Sequence, residues 1–117
     1  MKVLSLLAGS LLLCTAGVPA AHAATAVAIE KFAFAPREIT VAPGTTIVWS
    51  NRDETPHTLI ANDGSFVSKA MDTDDHYEHT FAAPGDYPYF CTLHPFMTGV
   101  VHVRANAAAS APPQPGG

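Results

Sequence analysis

The chain has 117 residues, 48% of them hydrophobic, and a formal charge of −4 at neutral pH. That acidity argues against a nucleic-acid partner, because gripping phosphates needs a basic face. The length bounds the chain to one domain once its N-terminal segment is set aside.

That segment, MKVLSLLAGSLLLCTAGVPAAHA, carries Lys2, an apolar stretch from Val3 to Val18, and the A-x-A pattern Ala21-His22-Ala23. It predicts a secretory signal over residues 1–23, cut after Ala23. Gly9, Ser10, Thr15 and Gly17 interrupt the apolar run, which is short for a bilayer span. A membrane span in the mature form is therefore not expected. Leu13 stands where a lipid-attachment site needs a small residue, so Cys14 is expected to leave with the signal. The remaining 94 residues hold five basic and ten acidic side chains, a formal charge of −5. They keep one cysteine, Cys91, so no internal disulfide can form. An exported protein lives where thiols oxidise. A lone cysteine there is buried, paired to another chain, or bound to a metal.

Thr25 to Phe34 alternates in part and reads as one strand. Glu38 to Ala42 and Thr45 to Ser50 are rich in Ile, Val, Thr and Trp, and Pro43-Gly44 separates them as a turn. His57 to Ala61 is a further short apolar run, and Asn62-Asp63-Gly64 opens a polar loop. A turn of helix is placed, on weak signal, within Ser65 to Asp75. His76 to Ala82 and Asp86 to Phe90 flank the turn Pro84-Gly85, and Gly99 to Arg104 closes the domain. Seven or eight short strands at this spacing predict an all-β sandwich. Trp49, Phe32, Phe34, Phe81 and Tyr89 read as core aromatics. Residues 105–117, ANAAASAPPQPGG, lack the apolar surface to offset chain entropy and read as a disordered tail. The folded domain is thus placed at residues 24–104.

The segment YFCTLHPFMTGVVHV sets Cys91, His94 and Met97 three residues apart. Alone, each has an ordinary reading: a small buried hydrophobe, a satisfied histidine, core filler. Together they offer a thiolate, an imidazole and a thioether to one point. His57 stands at the head of a different strand, and in a sandwich a strand head and a strand-joining turn converge at one end. Sulfur and imidazole ligands exclude calcium and magnesium, which take oxygens. Zinc accepts Cys and His but seldom recruits methionine. Copper accepts all four, and two His, one Cys and a weak axial Met are the set of blue-copper electron-transfer sites. Pro95 and Pro56 restrict the backbone beside His94 and His57. A stiff cage of this kind favours passing one electron.

The stretches VWSNRDETPHT, FAAPGDYPYFC and CTLHPFM resemble the cupredoxin (type 1 blue copper) family, and within it the small bacterial members of the amicyanin type. The resemblance runs from about Val27 to Val103, with the short Cys-x-x-His-x-x-Met loop as its most specific part. It implies a Greek-key β-sandwich holding one copper through His57, Cys91, His94 and Met97. It also implies a periplasmic one-electron carrier rather than an enzyme. Redox proteins, a dehydrogenase or a c-type cytochrome, would dock on an apolar patch of His94, Pro95, Phe96 and the flank of Met97. The carrier is expected to be a monomer. Thr58 departs from the pattern, since many members carry Asn directly after the first histidine; its hydroxyl is expected to reach Thr92 instead. The competing function is copper handling, storage or resistance, which usually uses exposed Met-rich or His-rich segments that this chain lacks.

Asp72, Asp74, Asp75 and Glu78 form an acidic cluster, read first as a solvated loop and second as a steering surface for a basic partner. His76 and His79 would face opposite sides of a strand and make no second metal site. His102 is expected to point outward from the last strand.

Overall fold

The computed structural model describes residues 25–107. The expected signal segment and residues 108–117 of the expected tail lie outside that range. Eight strands run in the order β1 (Thr25–Glu30), β2 (Ala33–Ala35), β3 (Glu38–Val41), β4 (Thr45–Asn51), β5 (Ile60–Ala61), β6 (His76–Phe81), β7 (Gly85–Phe90) and β8 (Thr98–Val103). They form two four-stranded sheets, ordered β2-β1-β4-β6 and β3-β8-β7-β5. The expected all-β sandwich is what forms. No helix among the described residues is long and apolar enough to cross a membrane.

Period-two alternation explains the layering. Along β4, Thr45, Ile47, Trp49 and Asn51 point inward while the residues between them are partly exposed. From the facing sheet, Tyr89 on β7 and Val101 and Val103 on β8 meet them. Trp49 lies at the centre, 5.7 Å from Phe66 and 5.5 Å from Tyr89 between ring centroids, and its Nε1–H donates to the Tyr89 hydroxyl at 3.1 Å. Burial pushes the Tyr89 phenol pKa up to about 12, so this oxygen stays protonated as β7 approaches the site. Gly99 lies directly opposite Tyr89 in the β7–β8 ladder, and the tyrosine ring occupies the space a side chain there would need.

Two local expectations are corrected. Thr25 to Phe34 is not one strand but a hairpin of β1 and β2, reversed at Lys31 and Phe32. Both turn residues take positive φ, 54° and 57°, a conformation that costs a non-glycine residue on the order of 1 kcal/mol or more. No Asn-Gly signal marks that turn, so the pattern concealed it. Ser65 to Asp75 forms no helix. It runs back along the segment after His57 in irregular antiparallel pairing, with bridges Ile60–Val67 and His57–Met71, and buries Phe66 and Met71.

Candidate metal centre

The site forms at one end of the sandwich. Cys91 follows directly on β7, and the chain then makes two tight turns before β8. The His94 N–H donates to the Cys91 carbonyl at 3.2 Å and the Met97 N–H to the His94 carbonyl at 2.8 Å. The Cys91 N–H donates to the Met97 carbonyl at 3.1 Å, closing the loop. Three-residue spacing matches the reach of a β-turn hydrogen bond, which is why Cys91, His94 and Met97 recur at that interval. His57 is set from the other side by a pair of backbone bonds with Met71, at 3.1 and 2.8 Å.

These constraints bring the expected donors together. The Nδ1 atoms of His57 and His94 lie 3.8 and 3.7 Å from the Cys91 sulfur. All three donor atoms fall within 4.8 Å of one another. Bonds of about 2.0 Å to nitrogen and 2.3 Å to sulfur, opened about 120° apart, require a separation of about 3.7 Å. Both sulfur–nitrogen separations match that value, so the three side chains are grouped as donors to a single ion. Cys91 and His57 are buried and His94 is partly exposed. Met97 is buried in the same loop, so it does not flank the surface patch as expected.

The outer contacts are specific. For Nδ1 of His57 to be a lone-pair donor, its proton must sit on Nε2, and there the Asp53 carboxylate accepts it at 2.9 Å. The same carboxylate accepts the Lys31 and Phe32 N–H groups at 2.7 and 2.9 Å. Burial pushes the Asp53 carboxyl up, but the bonds from the Phe32 amide, the His57 ring and the Lys31 amide outweigh it and hold it below the usual range. The Thr58 N–H points at the Cys91 sulfur, 3.4 Å away. Its hydroxyl meets the Thr92 hydroxyl at 2.6 Å and accepts the Thr92 N–H at 2.9 Å. Thr58 thus ties the two ligand loops, as the sequence suggested. Buried Asn51 braces the first loop: its amide donates to the Thr55 and Met71 carbonyls at 3.0 and 2.9 Å, and its oxygen accepts the Asp53 N–H at 2.9 Å.

The comparisons follow the same lines. Residues 21–104 match the family described as copper binding proteins, plastocyanin/azurin family. The chain belongs to that family. It binds one copper ion, as the family does. It is 38% identical over 86 residues to an amicyanin of Paracoccus versutus, covering 69% of this chain and 65% of that one, just under two thirds. It is 35% identical over 85 residues to amicyanin-alpha of Methylorubrum extorquens, covering 68% and 71%. A solved structure of a reduced amicyanin mutant superposes with a TM-score of 0.67 at 32% identity, over 74% of this chain and 87% of that one.

Among the other expected residues, Trp49, Phe34, Phe81 and Tyr89 are core. Phe32 is not: it is 41% exposed and stands over the site, its ring centroid 5.4 Å from that of His57 and 5.1 Å from that of His94. The reversal at Lys31 swings it out of the core face. Phe96 and Leu93 are 71% and 52% exposed around the same end. The acidic residues Asp72, Asp74, Asp75 and Glu78 are solvated as expected. The loop carrying the three aspartates adjoins the site, because the Asp74 N–H donates to the Asn51 carbonyl and the Thr73 hydroxyl to the Asp53 carbonyl, both at 2.7 Å, while Glu78 lies on β6. His76 is exposed, while His79 packs half-buried on Phe66 and Phe81, so the two share no site. His102 points outward between Asp86 and Glu38. Asp53 and Asn51 were missed as functional residues. The available signal was a carboxylate four positions before a ligand histidine, the type of partner such histidines take.

Proposed function

We propose that this protein is an exported, periplasmic carrier of single electrons, whose copper would be held by His57, Cys91, His94 and Met97. Copper, when bound, supplies the Cu(II)/Cu(I) couple. The chain's own residues keep the two states alike. The closed turns of residues 91–97, the Thr58–Thr92 tie and the Asn51 brace hold the Cys91 sulfur and the two imidazoles together. Little rearrangement on a change of charge means a low barrier to electron transfer. The observation that carries this reading is the placement of both Nδ1 atoms at 3.7–3.8 Å from one buried thiol.

His94 is the proposed exit. Its Nδ1 faces the sulfur and its ring is partly exposed, between Phe32 and Phe96. Exposed Phe96, Leu93 and Phe32 form an apolar rim suited to brief docking of a redox partner such as a dehydrogenase or a c-type cytochrome. The adjoining acidic loop supports steering of a partner with a basic rim. Both methionines among the described residues, Met71 and Met97, are buried. That favours a carrier over a copper-handling protein that collects the ion through exposed thioethers. We assign no bond-making step to the site, and residues 1–23 are proposed as its export signal. The test is electron self-exchange of the copper-loaded protein. Fast exchange at a reversible potential supports the carrier; slow exchange with ready copper transfer to an apo acceptor would replace it with copper handling.

A further inference from the structure

The β1–β2 turn is held in a conformation its residues do not favour, and one side chain holds it. Neither Lys31 nor Phe32 is a glycine, an asparagine or an aspartate, yet both adopt the left-handed region in succession. The Asp53 carboxylate accepts the backbone N–H of each, Lys31 on Oδ1 and Phe32 on Oδ2, and Oδ2 also takes the His57 Nε2 contact. One carboxylate therefore fixes a ligand ring and a turn 21 or 22 residues upstream at the same time. The turn in that conformation delivers the Phe32 ring edge-on to both imidazoles, with interplanar angles of 84° to His57 and to His94. An exposed phenylalanine in a strained turn has no packing role in the core to explain it.

We propose that Asp53 and Phe32 act as one positioning unit: the carboxylate clamps the β1–β2 turn so that Phe32 caps the two imidazoles, restricting their rotation and the approach of outside ligands to the copper. The unit rests on the copper assignment of His57 and His94 made above. Phe32 is a positioning residue and contributes no donor atom. Lys31 presents its backbone rather than its side chain, so its side chain is free to vary.

The experiment measures copper loss from the Cu(I) protein to a strong Cu(I) chelator, together with histidine ring exchange in the metal-free protein by ¹⁵N NMR. Phe32→Ala is expected to speed copper loss about tenfold and to broaden or sharpen the His94 ring signals, with Phe32→Trp restoring both. Asp53→Asn, which offers one acceptor oxygen in place of two, is expected to speed loss by about 10–100-fold, the range seen when outer partners of metal ligands are removed. If the two residues act as a unit, adding Phe32→Ala to Asp53→Asn produces much less than the product of the single effects. Loss rates for Phe32→Ala within about twofold of the parent, with unchanged ring signals, overturn the capping role. Fully multiplicative effects overturn the unit. If Asp53→Asn does not fold, the Phe32→Ala and Phe32→Trp pair still decides the capping role. A parent protein that takes up no copper would sink the metal assignment itself, and the metal-free ring signals would then test the cap alone.

Discussion

Replacing Gly99 with alanine adds one methyl group at a place with no room for it. The added Cβ would lie 2.5 Å from Cζ and from the hydroxyl oxygen of Tyr89, and 2.9 Å from Cε1. These are ring atoms of a buried side chain, not the end of a flexible one. Tyr89 cannot swing aside without leaving the Trp49 Nε1–H, which it accepts at 3.1 Å in the core. Overpacking of this kind costs about 1–3 kcal/mol, and weakening a buried hydrogen bond adds about 1 kcal/mol. We expect Gly99→Ala to lose about 2–4 kcal/mol in all, a fall in Tm of roughly 10–25 °C for a domain of this size. Urea unfolding followed by the fluorescence of Trp49, the chain's one tryptophan, measures it directly. Because Tyr89 stands two residues before Cys91 and Gly99 two residues after Met97, copper should also leave the variant faster. A loss below about 0.5 kcal/mol, the size of an ordinary surface change, would show that the β7–β8 ladder does not lock the ligand loop.

Three further outcomes are expected. Thr58→Val keeps the shape of the side chain but removes the hydroxyl that joins the loops; it should cost about 0.5–1.5 kcal/mol in urea unfolding and move the potential, and a variant equal to the parent in both would mean the tie is idle. Met97→Gln should retain copper and shift the potential, since a thioether that holds copper weakly would tune it; an unmoved midpoint in a redox titration would remove Met97 from the proposed ligand set. Hydrogen bonds from the His102 ring to Glu38 first and Asp86 second raise its pKa above the usual histidine value, against the opposing effects of partial burial and the Arg104 charge. A raised folded-state pKa gives stability that is complete below the unfolded value near 6.5 and is lost as pH rises through the folded one. Thermal melts should therefore fall by a few degrees between about pH 6 and 8 in the parent and stay flat over that window in His102→Gln; parallel curves would show that the solvent-screened cluster contributes nothing.

Much of this molecule was legible because the informative signals are local. Ligands three residues apart need only β-turns to converge, and turns announce themselves through Pro and Gly. The Ile, Val, Thr and Trp content of Thr45 to Ser50 marks a strand, and four of the five aromatic residues read as core are buried. The parts that were not legible depend on contacts far apart in sequence. The turn at Lys31 and Phe32 carries no turn residues of its own, because Asp53 supplies from a distance what glycine would supply locally. An aromatic residue in an apparently continuous strand reads as core, whereas Phe32 stands over the site. The segment from Phe66 to Met71 pairs irregularly with its neighbour and shows neither strand nor helix period, so only the burial of its two apolar ends reveals its role. Asp53 stands four positions before His57, but Glu54 beside it offers a second carboxylate, and only the fold shows which of the two meets the ring.

The most direct measurement is the visible spectrum of the purified protein after one equivalent of Cu(II), recorded beside that of Cys91→Ser. The account predicts an intense sulfur-to-copper charge-transfer colour in the parent and its disappearance in the variant. A serine variant that stays blue, or a parent that binds the ion without colour, would contradict it.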